Sequence, residues 1–468
     1  MMSKYIFHPN QFKDLRHDYD LIIVGSGSTG LVAALQAHEL GLKPVIFEKM
    51  PKLGGNSTCA SSGMNAAETD VQLRHHIVDT YEDFYRDTYI GGGKENNRDL
   101  LQYFTSHAAL AIDWLDQRGI KLPNLTISGG MHMPRTHRPG NNAPIGAFLI
   151  KNLLKLCDQA SIPIFNHAHV TRILTNGPRV FGVTVNFKGQ KDVHVNSNVV
   201  ILATGGFGAG KSIIKKYRPD LLHYRTTNQP GATGDGLKLG ANVGAGLVDM
   251  TKIQIHPTVQ QDTSHAYLIP EAIRGEGAIL INQQGQRFTN ELDTRLKVTA
   301  AINKLPEKKA YVVFDQGIRN QIKAIDFYDS IGLVIHGTDL NDLAHHMNVS
   351  PSNFTSTIKV WNQMVSKHKD NQFGRTTGMS RPINQTPYYA IHVGPAVHYT
   401  MGGLKVNRFT QVLTSADKPI AGLFAAGEVA GGLHGNNRLG GNSIAETVIF
   451  GRKAGQSAFQ YLQKLNNK

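Results

Sequence analysis

Cysteine is scarce in this chain of 468 residues, where only Cys59 and Cys157 occur. Neither lies in a CxxC or CxxCH pattern, and no cysteine–histidine spacing typical of zinc is present. We therefore expect no attached haem, no iron–sulfur cluster and no metal site. The lack of a disulfide framework favours a reducing compartment.

Long apolar runs are also missing. No stretch approaches the roughly 18 apolar residues that a membrane helix needs. The first residues, MMSKYIFHPNQFKDLRHDYD, lack the apolar core of a secretory signal. These features predict a cytoplasmic protein with no integral membrane segment.

The charge is strongly basic, with a formal net charge of +14. Lysine and arginine are spread along the chain without a dense run, which argues against a nucleic-acid partner. A solvated basic surface and a field that attracts small anions remain as interpretations. Hydrophobic residues make up 40% of the chain and glycine occurs 48 times, which is typical of a folded α/β protein of two or three domains.

Residues 20–49 carry the first motif, DLIIVGSGSTGLVAALQAHELGLKPVIFEK. A buried strand leads into Gly25, Gly27 and Gly30, a helix is predicted over Leu31–Leu40, and a second strand ends at Glu48. In such a unit the glycines admit a pyrophosphate at the helix N-terminus, and the acid accepts from ribose hydroxyls. A lone GxGxxG indicates little, but the strand, helix and acid together predict a dinucleotide site.

Three later segments fit the same cofactor: KLGGNSTCASSGMNA (52–66), VVILATGGFG (199–208) and AGLFAAGEVAGG (421–432). They resemble segments of FAD-binding proteins of the two-dinucleotide-binding type. The resemblance implies FAD, with Glu428 close to its ribityl chain. The implied cofactor-binding residues are Gly25, Gly27, Ser28, Thr29, Gly30, Glu48, Lys49, Gly55, Asn56, Ser57, Ser62, Gly63, Ala203, Thr204, Gly205, Thr233, Gly234, Asp235, Gly427, Glu428, Asn442, Ser443 and Ile444.

A second set of motifs contains histidines and charged residues, and each member has an ordinary explanation. A histidine beside a proline is often a turn residue, and an i, i+3 pair of Glu and Arg is often a surface ion pair worth under about 1 kcal/mol. ELDTRL could be a helix start with Asp293 as its cap. The set comprises His256 in IQIHPT, Glu271 and Arg274 in LIPEAIRGEG, Arg295 in FTNELDTRL, His398 in VHYTMGGL and Arg438 in GLHGNNRLGGNS.

Taken in order, these motifs resemble the fumarate reductase and succinate dehydrogenase flavoprotein family, and its soluble single-chain members above all. The resemblance extends from about Asp18 to about Gly455. It implies an α/β fold: a Rossmann-like two-dinucleotide-binding FAD domain at 1–248 and 389–468, with an inserted α+β capping domain at 249–388.

The same resemblance implies roles for the second set. Arg438 and His398 would hold one carboxylate of fumarate, and His256 the other. Arg295 would donate the proton, and Glu271 with Arg274 would reprotonate it. Fumarate would be reduced to succinate as an electron sink, with electrons from reduced flavin or a partner reductase.

Three departures from the family pattern stand out. Pro270 precedes Glu271 where relatives often have threonine, and Leu296 follows Arg295 where aspartate is usual. The loop GGNSTCASSGMNA has no histidine of the kind that attaches FAD covalently in membrane-complex relatives, which predicts non-covalent FAD.

Other functions stay open at this point. On the same fold, the substrate could be another enoate of the urocanate or acrylate type, a steroid or aspartate, although two cationic ends favour a dicarboxylate. An alternative of another class is a non-catalytic flavoprotein that binds anions or nucleic acid.

Overall fold

The computed structural model describes residues 5–140 and 143–467, so residues 1–4, 141–142 and 468 of the predicted FAD domain lie outside the described residues. The first motif folds as a βαβ unit of β1 (Leu21–Val24), α1 (Ser28–Glu39) and β2 (Pro44–Phe47). The helix begins three residues before the predicted Leu31, because Gly27 already serves as its N-cap. Backbone N–H groups of the glycine turn are thereby part of the helix N-terminus.

The remaining elements follow in chain order. The other helices are α2 (Asp70–Arg74), α3 (Tyr81–Gly91), α4 (Arg98–Ser106), α5 (Ala108–Asp116), α6 (Ile145–Gln159), α7 (Lys211–Tyr217), α8 (Asp235–Ala241), α9 (Glu271–Gly275), α10 (Arg295–Asn303), α11 (Gln316–Gln321), α12 (Ala324–Ser330), α13 (Leu340–His346), α14 (Pro351–Ser366) and α15 (Asn442–Asn466). The other strands are β3 (Met64–Asn65), β4 (Asn124–Thr126), β5 (Thr136–Arg138), β6 (Ile164–Phe165), β7 (Ala168–Asn176), β8 (Arg179–Phe187), β9 (Gln190–Asn196), β10 (Val200–Leu202), β11 (Arg225–Thr226), β12 (Leu247–Val248), β13 (Ile253–Gln260), β14 (Ile279–Ile281), β15 (Ala310–Asp315), β16 (Ile335–Gly337), β17 (Tyr388–Thr400), β18 (Gly403–Leu404), β19 (Gln411–Leu413) and β20 (Pro419–Ala425).

The larger sheet has the strand order β6-β2-β1-β10-β20-β8-β7, and in addition β19 pairs with β20 and β9 pairs with β8. The strands from β6 to β20 pair in parallel. Strand β1 has all four residues buried, and helix α1 packs against the sheet and against α15. This arrangement confirms the predicted α/β class with a parallel, Rossmann-like sheet.

The second sheet is built around the long strand β17, which pairs with β13, β15, β16 and β11. Its first half, up to Val393, packs into a hydrophobic core with residues from Ile269 onward, whereas Val397 belongs to the core under the larger sheet. One continuous strand thus connects both cores. The domain limits predicted from the sequence stay a prediction, since β17 runs across the limit at 388 and 389.

No helix among the described residues is both long enough and apolar enough to cross a bilayer.

Candidate functional site

A cavity of about 980 Å³ lies where the larger sheet meets the second sheet. Its floor contains the residues that directly follow the parallel strands: Gly25 after β1, Glu48 after β2 and Ala203 after β10. The carboxyl ends of parallel strands are the usual place for a ligand in such sheets. Residues around Glu271 and Arg295 form the opposite wall.

Most residues assigned to the cofactor from sequence face this cavity. They are Gly25, Gly27, Thr29, Glu48, Lys49, Gly55, Asn56, Ser57, Ser62, Ala203, Thr204, Gly205, Asp235, Glu428, Ser443 and Ile444. The others do not line the cavity themselves: Ser28, Gly30, Gly63, Thr233, Gly234, Gly427 and Asn442. The Ser28 hydroxyl lies 2.8 Å from that of Ser57, and Thr233 accepts a hydrogen bond from Lys49.

Backbone packing explains two of the glycines. A Cβ at Gly25 would lie 2.3 Å from the backbone oxygen of Ala203, and one at Gly427 would lie 2.3 Å from Oγ1 of Thr29. Both glycines also have positive φ. The two turns therefore admit no side chain at either position.

Polar side chains among the residues assigned to the cofactor both accept and donate hydrogen bonds. Glu48 Oε2 accepts from the backbone N–H and hydroxyl of Ser26, and Lys49 pairs with Asp235 at 2.6 Å. The buried Thr204 hydroxyl has no partner among the described residues. This unpaired hydroxyl and the bare glycine turn are features that fit a bound dinucleotide.

Glu428 lies beside these groups and accepts from the backbone N–H and the hydroxyl of Thr400, each at 3.0 Å. Burial raises the pKa of its carboxyl to about 7, although the bonds from Thr400 oppose the shift. Near neutral pH this carboxyl is divided between its two protonation states, so it can accept from or donate to a ligand hydroxyl.

The two predicted histidines meet at the end of the cavity, where the rings of His256 and His398 lie 5.3 Å apart. The backbone N–H of Thr258 donates to Nδ1 of His256, which places the proton on Nε2. That buried Nε2 has no partner among the described residues. Burial and the neighbouring Arg295 and Arg438 hold the pKa of both rings well below the ordinary value, so both are neutral at pH 7.

Arg438 is buried beside them, with its guanidinium 4.5 Å above the ring of Tyr399. Its Nη2 donates to Oε1 of Gln254 at 3.1 Å, and Nη1 of Arg295 donates to the same oxygen at 2.9 Å. Nε of Arg438 has no partner among the described residues. Burial, reinforced by the charge of Arg295, lowers the pKa of Arg438 to about 10.

Glu271 joins the cluster through Arg295, whose Nε donates to Oε1 of Glu271 at 2.7 Å. Burial alone would raise the pKa of Glu271, but Arg295 and Arg274 outweigh it and hold the pKa at about 2. Arg274 approaches Oε1 of Glu271 to 3.8 Å and donates to the backbone oxygen of Glu291. Its side chain is only 2% exposed, so the pair is not the surface ion pair considered from sequence.

Arg274 is the one predicted site residue of the second set that does not line the cavity. It stands behind Glu271, enclosed by the backbone of Glu291 and by Arg375, whose Nη2 donates to the backbone oxygen of Arg274. Burial lowers the pKa of Arg274 to about 10.

Two further residues of the cluster were not anticipated from sequence. Gln254 connects Arg295 with Arg438, and its Nε2 donates to the backbone oxygen of Arg438. Gln254 stands two residues before His256 in a strand, so the two-residue period of a strand could have indicated it. Tyr399 carried no comparable signal, because its contact with Arg438 joins strand β17 to a loop that is distant in sequence.

The departures from the family pattern also have positions. Pro270 is the N-cap of α9 and presents neither hydroxyl nor N–H to the cavity that it lines. Leu296 is 61% exposed on α10, and the cap of that helix is Thr294 rather than Asp293. Within the described residues, no group of three His, Cys, Asp or Glu side chains could hold a metal ion.

Comparisons with known proteins identify the family of this chain. A family model described as "FAD binding domain" matches residues 20–444. A "Fumarate reductase (cytochrome)" of Shewanella frigidimarina is 38% identical over 450 residues, which cover 96% of this chain and 78% of that protein. The chain belongs to the FAD-dependent fumarate reductase flavoprotein family.

Other members of this family differ in length. "NADH:fumarate oxidoreductase" of Klebsiella pneumoniae (strain 342) is 47% identical over 440 residues, which cover 94% of this chain and 47% of that protein. The chain thus spans about half the length of that relative. A solved flavocytochrome c3 fumarate reductase in its open conformation superposes with a TM-score of 0.82 and 37% identity, covering 96% of this chain and 79% of that one.

The family also includes proteins whose names give other substrates. "Urocanate reductase" of Eggerthella lenta is 32% identical, covering 96% of this chain and 76% of that protein, and "NADH:acrylate oxidoreductase" of Vibrio harveyi is 30% identical, covering 95% and 51%. Membership establishes the cofactor as FAD and the chain as an oxidoreductase of the class that acts on CH–CH groups.

Proposed function

We propose that this chain reduces fumarate to succinate, and the charge of the candidate site carries the proposal. Arg274, Arg295 and Arg438 bring three guanidinium charges, and Glu271, with a pKa of about 2, brings one negative charge. Counted over these four groups, the cluster retains two positive charges beside two neutral histidines. A dicarboxylate with two negative charges balances them, whereas a monocarboxylate leaves one buried charge uncompensated.

Arg438 and His398 hold one carboxylate in this proposal, and Nε2–H of His256 donates to the other. A guanidinium offers a planar pair of donors that matches a carboxylate. The unpaired Nε2 of His256 and Nε of Arg438 then gain the acceptors that they lack. For Nε2 of His398 to donate as well, the Thr227 hydroxyl, 2.7 Å from Nδ1, must donate to that nitrogen.

The reaction needs a hydride at one alkene carbon and a proton at the other. Reduced FAD supplies the hydride when it is bound. The donors around His256 stabilise negative charge that develops on the carboxylate they hold, which polarises the alkene. When the predicted capping domain, residues 249–388, closes over the cavity, it excludes water from the negatively charged state that precedes protonation.

We assign the proton to Arg295. Glu271 is ionised and bonded to Nε of Arg295, so the guanidinium is positively charged at rest and faces the cavity. A guanidinium is a weak acid, and it transfers a proton only because the acceptor is a strongly basic carbanion-like carbon. A proton from solvent then restores Arg295, relayed by the Glu271 carboxylate with Arg274 behind it.

A reduced-dye oxidation assay of the FAD-loaded protein tests the proposal, with fumarate, urocanate and acrylate compared as acceptors. We expect kcat/KM for fumarate to exceed that for either monocarboxylate by at least about tenfold, which corresponds to about 1.4 kcal/mol. Arg438→Ala should mainly raise KM for fumarate. Faster turnover of a monocarboxylate would contradict the assignment and favour the alternative, a reductase of another enoate.

The proposal includes the electron supply and the location of the protein. We propose reduced flavin or a partner reductase as the electron donor and the cytoplasm as the compartment. Spectroscopic reoxidation of free reduced flavin by the FAD-loaded protein with fumarate tests the first, and fractionation of cells tests the second.

A further inference from the structure

Arg138 is a buried cation of the cavity that the proposed reaction does not use. It ends β5, is 8% exposed and lines the cavity. Its Nη2 donates to the backbone oxygen of Ser61 at 3.2 Å, and its Nε has no partner among the described residues.

Comparison with the other buried arginines makes Arg138 unusual. Arg135, Arg274, Arg287 and Arg375 each have a carboxylate within 4 Å. In the described residues only Arg138 and Arg438 are buried without such a partner. A buried charge without a counter-charge destabilises a fold by several kcal/mol, so an arginine left in this state indicates that an anion arrives from outside.

The position of Arg138 separates it from the dicarboxylate clamp. Thr136 and Arg138 alternate with His137 along β5, so both side chains lie on the face that lines the cavity. The Thr136 hydroxyl is 2.9 Å from that of Ser128, and a Cβ placed on Gly440 would lie 3.2 Å from the Ser128 hydroxyl and 3.5 Å from Oε2 of Glu271. Arg138 stands two strand residues further on, about 6.6 Å along β5.

We propose that Arg138 is a second oxyanion-binding residue of this cavity. Its ligand is a carboxylate of the incoming dicarboxylate, which would rest there before it reaches the clamp, or a phosphate of FAD. The carboxylate case rests on the proposed function, and the phosphate case does not. In both cases the ligand supplies the counter-charge that the described residues do not.

Stability of the FAD-free protein gives a readout that is independent of turnover. Arg138→Met keeps much of the side-chain volume and removes the unpaired charge, so we expect the melting temperature to rise by about 2–4 °C. Arg138→Lys, which keeps the charge, should not raise it. A residue that only fastens β5 to Ser61 would give the opposite result, a lower melting temperature in Arg138→Met.

Binding experiments then identify the source of the anion. Titration of FAD-free protein with FAD, followed by flavin fluorescence, reports the phosphate case. Titration of the FAD-loaded protein with succinate, followed by flavin absorbance, reports the carboxylate case. We expect at least a tenfold weakening of one of these affinities in Arg138→Met, with a smaller loss in Arg138→Lys. Lys323→Gln removes an exposed cation from the cavity wall and is the matched control, which should leave both affinities within about twofold.

The outcomes distinguish this proposal from the reaction. If Arg138→Met binds FAD and succinate as the wild type does, the proposal is overturned, even where the wild type reduces fumarate. If the wild type fails to reduce fumarate while Arg138→Met loses affinity for FAD, the anion site stands and the proposed reaction falls.

Discussion

At the scale of single residues, the centre of the site is one amide oxygen. Oε1 of Gln254 accepts from both Arg295 and Arg438, the two guanidinium groups to which we assign different tasks. Two like charges repel, and a shared neutral acceptor holds them at a defined separation without cancelling either charge. A carboxylate in this place would reduce the positive charge that a dianion requires.

Gln254→Leu removes that acceptor while keeping the buried volume similar. Charge-assisted hydrogen bonds contribute about 1.5–3 kcal/mol, so we expect kcat/KM for fumarate to fall by at least about tenfold. Flavin content should stay unchanged. Steady-state kinetics with a reduced dye would measure the effect, and an unaltered kcat/KM would show that the two arginines are positioned by other contacts.

Arg295→Ala tests the proton donor. Loss of an acid catalyst typically reduces the rate about 100-fold to 10,000-fold, so kcat should fall by at least 100-fold while succinate still perturbs the flavin absorbance. Lys297→Gln is the matched control, because Lys297 is an exposed cation on the same helix that pairs only with Asp293 in the described residues. Turnover retained in Arg295→Ala would assign the proton to another group.

At the scale of elements, the loop between β2 and β3 combines a glycine turn with a short 3-10 helix, Gly55–Cys59. Asn56 in this helix exchanges hydrogen bonds with Asn228 and Gln229, which fastens the loop to the opposite side of the cavity. The loop contains Cys59, a nucleophile that lines the cavity. The thiol is exposed to the cavity, and partial desolvation by the surrounding residues raises its pKa above the ordinary value, which favours the protonated form at neutral pH.

We therefore expect acid precipitation to release all of the flavin into the supernatant. Cys59→Ser should release the same fraction. Absorbance spectra of the pellet and supernatant measure the distribution, and yellow colour that remains with wild-type pellet but not with Cys59→Ser pellet would identify a covalent bond to Cys59.

At the scale of the whole molecule, the cavity between the two cores concentrates ionisable groups whose pKa values are shifted in opposite directions. The folded protein raises the pKa of Glu428 to about 7 and lowers that of Glu271 to about 2. The raised pKa stabilises the fold fully below pH 4.5, and this contribution is lost as the pH rises through 7. The lowered pKa of Glu271 changes the stability of the fold only at more acidic pH.

Comparison of the FAD-free wild type with Glu428→Gln isolates the first contribution, since the shifted histidines are common to both proteins. Relative to Glu428→Gln, the wild type should lose up to about 2 kcal/mol of unfolding free energy between pH 4.5 and 8, allowing for the partial exposure of Glu428. Urea unfolding at several pH values measures it. A constant difference between the two proteins across this range would contradict the shifted pKa.

The elements that depend only on residues close together in the sequence were predictable from the chain. Strand β1, the glycine turn, α1 and Glu48 lie within 30 residues, and their order follows from local periodicity and backbone freedom. The six residues of the second set could be assigned as a group only through their resemblance to a family. Their own patterns admitted a turn histidine or a surface ion pair.

The tertiary structure determines which of these charged side chains become neighbours of one another. Arg274 is buried behind Glu271, Gln254 joins two arginines, and Arg138 has no counter-ion among the residues that the structure describes, because strands and loops far apart in sequence meet around one cavity. Burial removes water as an alternative partner, so the identity of the neighbouring side chain determines the charge state of each group. The sequence by itself determined the family, the cofactor and the α/β class, whereas the charge balance around the substrate depends on distances that only the folded chain defines.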